Sequence, residues 1–349
     1  MKAHGKVDDE TFIEALREHG SDYLAAKALG LDSRGVTRRR LRMEARMSGP
    51  LAGPAPAAIE YPKLPQKHVP IEELLARRKS QFQQRKSFED STKLIPVKIK
   101  LDGPIGVLHF GDPHVDDDGT DIVALESHAR LVRETEGMFG GNVGDTSNNW
   151  VGRLTRLWAQ QSTNADEAWQ LVEWFIKQVD WLYLIGGNHD AWSGAGDPIK
   201  WIQRGGSAPY MASSVRLALQ FPNKNEVRVN AKHDFNGHSQ WNPAHGATKA
   251  IYMGPRDHIA VAGHRHISGY NIIKSPEDGT VCHAIRVASY KIYDTFAKEK
   301  GFPDQSLSPC AVTVIDPALP GSHPDQVKVF WDAFEGADFL KYKRKKWKC

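Results

Sequence analysis

The chain has 349 residues, 40% of them apolar and 25% charged, the proportions of a soluble globular protein with room for two domains. A formal net charge of only +4 gives no overall argument for a polyanionic partner, and no run approaches the ~20 consecutive apolar residues of a membrane span. Cys282, Cys310 and Cys349 show no metal-ligand spacing and exclude a disulfide framework, while "MKAHGKVDDE" lacks the apolar stretch of a secretory signal; together these point to the cytoplasm.

Residues 10–47 read as short helices. "ETFIEALREHG" places Phe12, Ile13 and Leu16 on one side and stops at Gly20. "SDYLAAKALGL" follows with Ser21 as its cap, Gly30 breaks it, and Asp32 or Ser33 caps a third helix, "RGVTRRRLRMEAR". Residues 1–47 are therefore expected to form a small all-α N-terminal domain. The stretch 48–70 carries six prolines and reads as a partly extended linker, continued to residue 94 by the charged, helical "IEELLARRKSQFQQRKSFED".

From residue 95 the pattern changes. β-prone runs ("IGVLHF", "WLYLIG", "NEVRVN", "DHIAVAG", "CHAIRVA", "CAVTVID", "QVKVFW") alternate with loops and with helical stretches such as "DIVALESHARLVRETEGMF" and "NADEAWQLVEWFIKQV". This predicts an α/β layered domain with mixed sheets over 95–340. The basic block "KYKRKKWK" leaves 341–349 as a solvated tail.

Polar clusters follow the apolar runs in a regular way. "VLHFGDPHVD" ends with Asp112 and His114, "GGNVGDTSNNW" supplies Asp145 and Asn148, and "LIGGNHDAW" supplies Asn188, His189 and Asp190. "IAVAGHRHIS" supplies His264 and His266, and "KHDFNGHSQWNPAHG" holds His233, His238 and His245. A single Asp-x-His or His-x-His is more often a self-satisfied turn than a metal site. Five clusters in succession are a different case. Carboxylate, imidazole and amide oxygen together suit Mn, Fe or Zn rather than thiolate chemistry.

The ordered set "GDPH", "GDTSN", "GNHD", a lone His and "GHRH" resembles the calcineurin-like metallophosphoesterase superfamily over about residues 105–295. That resemblance implies two mixed β-sheets in a sandwich flanked by helices, with two divalent ions, Mn first among them, at the strand ends. It implies Asp112, His114 and His266 on one metal, Asn188 and His264 on the other, and Asp145 between them. The lone histidine is His233, His238 or His245; His245 is favoured because its His-Gly turn is like the family's usual ligand. His189 matches the residue that meets the scissile phosphate and protonates the leaving oxygen, with Asp190 holding its imidazole. Asn148 is expected to orient the loop or the phosphate. The implied reaction is phosphoester hydrolysis by a hydroxide bridging the metals.

The N-terminal segment bears on the substrate. Ala26, Gly30 and Val36, flanked by Leu29, Leu31 and Leu41, resemble a helix-turn-helix with the turn at "GLDS". Arg34, Arg38, Arg39, Arg40 and Arg42 would then bind DNA phosphates. A three-helix bundle for protein contacts is the alternative. With such an arm the expected activity is a DNA-directed phosphodiesterase or nuclease. The alternatives are a phosphatase or small-molecule phosphodiesterase with a regulatory arm, and a DNA-binding protein with an inactive esterase domain.

Overall fold

The computed structural model describes residues 7–47, 49–51, 62, 64, 68–152, 155–191, 197–239, 241–301 and 306–347. The chain divides into two compact units, 1–78 and 79–349. Among the described residues no helix is long and apolar enough to cross a membrane. Cys282 and Cys310 are buried and free; Cys349 and residues 1–6 lie outside the described residues.

The first unit holds α1 (Asp9–His19), α2 (Asp22–Leu29) and α3 (Ser33–Met47). Asp8, Ser21 and Asp32 accept the backbone N–H groups of Thr11, Leu24 and Gly35, so each helix starts on a side-chain cap. Gly20 and Gly30 end the first two helices with φ of 64° and 66°, a left-handed conformation that favours glycine. Phe12, Leu16, Ala25, Ala26 and Val36 form the shared core. Leu51 joins that core and its N–H donates to Glu44 at 2.9 Å, so this packing runs past the expected boundary at 47. Most of the proline-rich linker reading falls outside the described residues. The charged segment beyond it is α4 (Ile71–Thr92), which buries no residue. It is supported instead by pairs one turn apart, such as Arg85–Glu89.

Among the described residues the second unit contains twelve strands: β1 (Ile95–Lys98), β2 (Ile105–Phe110), β3 (Met138–Asn142), β4 (Trp181–Ile185), β5 (Tyr210–Met211), β6 (Ser214–Gln220), β7 (Glu226–Lys232), β8 (Ile259–Ala262), β9 (Gly269–Lys274), β10 (Val281–Arg286), β11 (Cys310–Ile315) and β12 (Val327–Phe330). Its helices are α5 (Ile122–Glu134), α6 (Thr155–Trp158), α7 (Ala165–Gln178), α8 (Asn188–Ala191), α9 (Pro198–Ile202), α10 (His245–Met253), α11 (Thr295–Lys300) and α12 (Ala333–Trp347). The strands make two mixed six-stranded sheets, ordered β1-β6-β7-β8-β10-β9 and β12-β11-β2-β3-β4-β5.

Side-chain alternation explains the layering. On β2, Ile105 and Val107 face Val229, Val261 and Ile285 of the other sheet, forming the core between sheets. Leu108 and Phe110 face the opposite way, onto Leu125 of α5, Phe175 of α7 and Leu340 of α12. On the far sheet, Ala260, Ala262, Cys282 and Ala284 pack against Ala247 and Ile251 of α10. The result is a sandwich with helices on both outer faces, as the fold reading expected. β2, β3 and β4 run parallel, as do β7 and β8, so each sheet gathers several C-terminal strand ends at one rim.

Two boundaries differ from expectation. The helix expected through residue 139 ends at Glu134, and Met138–Asn142 is strand β3. Its glycines are required by packing: a Cβ on Gly140 would lie 2.4 Å from Val179, and one on Gly141 would lie 2.4 Å from Tyr183. The expected tail at 341–349 is, through Trp347, the end of α12. Leu340 and Arg344 are buried there, and Arg344 donates to the Pro104 carbonyl at 2.8 Å and to Glu136 at 2.6 Å.

Candidate metal centre

Five strand ends supply the site. Asp112 and His114 follow β2, Asp145 follows β3, Asn188 and His189 open α8 after β4, His233 follows β7, and His264 and His266 follow β8. His114, Asp145, His264 and His266 all have positive φ, 41°, 50°, 70° and 53°. Such conformations cost ordinary residues ~1–3 kcal/mol each and persist where the surrounding fold enforces them. The turns are also tight. A Cβ on Gly187 would lie 2.0 Å from Asp145 Oδ1, and one on Gly263 would lie 2.3 Å from Asp112 Oδ1. Only glycine lets the backbone come so near a carboxylate.

The polar atoms fall into three overlapping groups: Asp112, His114 and His266; His114, Asp145 and His189; and Asp145, His233 and His264. Asp145 belongs to two of them. Donors around one ion at about 2.0–2.2 Å stand about 3.0–3.5 Å from one another, which gives a test of fit. In the first group, His266 Nε2 lies 3.2 Å from His114 Nε2 and 3.2 Å from Asp112 Oδ2. In the last, His233 Nε2 lies 3.0 Å from Asn188 Oδ1, 3.3 Å from Asp145 Oδ2 and 3.0 Å from His264 Nδ1. Asp112 is fully buried, with His266 Nε2 facing its Oδ2. These side chains could hold a metal ion.

Electrostatics follows from the same crowding. Burial works against charge on the histidines throughout. At His233 that burden is outweighed by Asp145 and then Asp112, which lift the group to about 10. At His266, Asp112 and Asp294 overcome burial in the same way and raise it. His114 and His264 are pushed down, by burial first and then by neighbouring imidazoles. Burial also opposes the charge on Asp145, yet His233, His189 and His114 hold its carboxyl below the usual range.

His233, not His245, therefore takes the place of the lone histidine. Its Nδ1 donates to the Val143 carbonyl at 2.8 Å, which turns Nε2 toward Asn188 and Asp145. His245 is the first residue of α10 and belongs to none of the three groups. His238 is turned away too, accepting from Arg265 Nη2 at 2.9 Å.

Asp190 does not hold the His189 imidazole. It is fully buried, and its oxygens accept the backbone N–H groups of Gly187, Thr146 and Ser147 at 2.8, 3.3 and 3.1 Å. It ties two ligand loops together instead. His189 Nδ1 donates to the Asn148 carbonyl at 2.9 Å, and its Nε2 lies 3.9 Å from Asp145 Oδ2. The Asn148 amide is buried and reaches Asp117 at 3.2 Å, and its backbone N–H donates to Asp116 at 2.7 Å.

The sequence reading missed a support network. Arg286, among the largest fully buried side chains, donates to the Gly263 and Pro243 carbonyls and to Asp234. It thus braces the residues beside His264 and His233. An arginine inside the apolar run "CHAIRVA" was the available signal, since a buried cation needs named partners. Lys291, which pairs with Asp117 at 2.9 Å, and Asp294, whose Oδ2 lies 3.7 Å from His266 Nδ1, were missed as well.

In the helical unit the five arginines separate. Arg39 pairs with Asp9 and lies 4.4 Å over the Phe12 ring, and Arg40 binds Asp22 at 2.6 Å and Glu44 at 2.7 Å. Those two make ion pairs within the bundle. Arg34, Arg38 and Arg42 recur every fourth residue and so share one side of α3.

No protein-family model matches this chain, and no curated protein matches it.

Proposed function

We propose that the protein is a dimetal-dependent phosphoesterase of the calcineurin-like kind, acting on a nucleic-acid phosphodiester. The observation that carries this reading is Asp145, whose carboxylate takes part in two donor groups, one with His114 and His189 and the other with His233 and His264 from the second sheet. Asp112, His114 and His266 would hold one divalent ion, Asn188, His233 and His264 the other, and Asp145 both. Bound there, two such ions would neutralise the phosphate and acidify a water between them, with Mn the first candidate.

The remaining roles belong to the side chains. His189 donates from Nδ1 to the Asn148 carbonyl, which sets the orientation of its ring, and in this reading its imidazole passes a proton to the departing oxygen. Asn188 offers a neutral oxygen, which leaves the positive charge of the centre undiminished. Asp190 keeps the loops bearing Asp145 and Asn188 in register. In the helical unit, Arg34, Arg38 and Arg42 would engage DNA phosphates.

A phosphatase or small-molecule phosphodiesterase is the competing reading, favoured by the internal use of Arg39 and Arg40, which thins the basic face. The deciding experiment is Mn-loaded protein assayed against DNA, RNA, cyclic nucleotides and aryl phosphate mono- and diesters. Asp145→Ala should lose both ions and all hydrolysis. Full metal content and turnover in that variant would reject the reading.

A further inference from the structure

Between the last two clustered histidines stands one arginine. His264 belongs with His233 and Asp145, whereas His266 belongs with Asp112 and His114. Arg265 therefore spans the backbone between the two donor groups. Its own N–H donates to the Gly263 carbonyl at 2.9 Å, and residues on either side have φ of 70° and 53°, so the turn is tightly fixed.

Its side chain is held but not used up. Nη2 donates to Asp234 Oδ2 at 3.2 Å and to His238 Nε2 at 2.9 Å, and the side chain remains 36% exposed. A guanidinium has five N–H donors, and Nε and Nη1 have no partner among the described residues. Charge is unbalanced as well. Asp234 Oδ1 already receives Arg286 Nη2 at 2.8 Å, so two guanidiniums share one carboxylate. A net positive charge this close to a cation-binding centre is unfavourable until an anion completes it.

The same bond to His238 ties in the loop that carries Trp241, three residues further on. Trp241 is 92% exposed, more than any other large apolar side chain described. Ser239 Oγ accepts the N–H groups of Trp241 and Asn242 at 3.2 and 3.1 Å, and Arg286 Nε holds the Pro243 carbonyl at 2.8 Å. An indole presented to solvent three residues from the His238 that meets an incompletely paired guanidinium offers a stacking face and an anion site on one stretch of chain.

We infer that Arg265 and Trp241 form a strand-binding rim. The guanidinium takes the phosphate next to the scissile one, and the indole stacks on an unpaired base. The substrate at this site is then a single-stranded nucleic acid rather than an isolated phosphoester. The inference rests on the phosphodiesterase reading above.

The test uses full-length, Mn-loaded protein with three substrates: single-stranded oligonucleotides (DNA and RNA), the same strand in duplex, and methyl 4-nitrophenyl phosphate. Trp241→Ala should lower kcat/KM on the single strand roughly 5- to 100-fold, the usual effect of removing one base-stacking ring. Arg265→Gln should lower it about 10- to 100-fold, as for a lost charge-assisted contact, and Arg265→Lys should restore part of it. Trp241→Ala should not move kcat/KM on methyl 4-nitrophenyl phosphate more than about twofold, because that substrate has no base to stack. Trp241 is exposed and makes no side-chain bond, so its variant is not expected to unfold. Equal losses on strand and small diester in Trp241→Ala would overturn the rim, as would unchanged cleavage of the strand or a preference for duplex. Wild-type protein that hydrolyses neither substrate would instead sink the phosphodiesterase reading itself.

Discussion

Replacing Arg286 tests whether the network behind the metal centre is a positioning device. Arg286→Met keeps most of the side-chain volume and removes the guanidinium. Three acceptors lose a donor, but unequally. The Gly263 carbonyl still receives the Arg265 N–H, and Asp234 still receives Arg265 Nη2. The Pro243 carbonyl loses its side-chain partner altogether. Removing one member of a buried ion pair costs ~3–5 kcal/mol. Asp234 is about a quarter exposed and retains a partner, so the lower end applies, about 3 kcal/mol, largely from one orphaned carbonyl and a weakened carboxylate. Urea unfolding of the metal-free protein measures that loss. Atomic absorption after Mn loading should then find about one ion per chain where the wild type holds two. The reason is that Asp234 and Gly263 flank His233 and His264, while Asp112, His114 and His266 do not touch Arg286. A loss below about 1 kcal/mol, or loss of both ions together, would refute the argument.

The remaining expectations are direct. His233→Ala should empty the second donor group while His245→Ala leaves metal content unchanged, and the opposite outcome would restore the His-Gly turn as the ligand. His233, raised to about 10, carries a proton that an incoming ion must displace, so second-ion affinity should fall about tenfold for each pH unit lowered between pH 9 and 7. Calorimetry in buffers of different ionisation heat should detect close to one proton released at His233; none at pH 8 would contradict the shift. In the metal-free protein the same raised value favours the folded state, fully below about 6.5 and fading as pH climbs through about 10. In the isolated helical unit, Arg34, Arg38 and Arg42 changed together to Gln should flatten the log–log salt dependence of duplex DNA binding by about two to three units. Arg40→Gln should mainly lower the melting temperature, and an unflattened slope in the triple variant would exclude that face as the contact.

Much of this arrangement was legible because strand ends and ligands are both local features. β2, β4 and β8 each show an apolar run that stops at a glycine, β7 alternates apolar and polar residues, and each is followed by residues of the cluster. The lone histidine failed because a turn resemblance displaced that rule. His233 directly follows β7, just as the other ligands follow their strands, whereas His245 begins a helix. β3 was hidden for a different reason. "MFGGN" has little strand propensity, and its two glycines answer to Val179 and Tyr183, which only the fold brings near. The last helix looked like a charged tail because its buried side, through Ala337, Leu340 and Arg344, is interrupted by lysines facing outward.

The division of ligands between the sheets links stability to the proposed chemistry. Asp112, His114, Asp145 and Asn188 come from the sheet containing β2, β3 and β4, while His233, His264 and His266 come from the sheet containing β7 and β8. The group of Asp112, His114 and His266 and the group of Asp145, His233 and His264 each take members from both, so an ion in either would join the sheets at their rim. The same side chains already meet across that rim, with His233 Nε2 3.3 Å from Asp145 Oδ2 and His266 Nε2 3.2 Å from Asp112 Oδ2. Those contacts place buried carboxylates beside imidazoles that burial alone would leave neutral. A site tuned only for stability would favour apolar contacts here, because a buried ion pair gains little over well-packed hydrophobic residues. The polar rim is therefore best understood as a binding constellation held ready by the sandwich, with Arg286 and Asp190 fixing its two halves from behind.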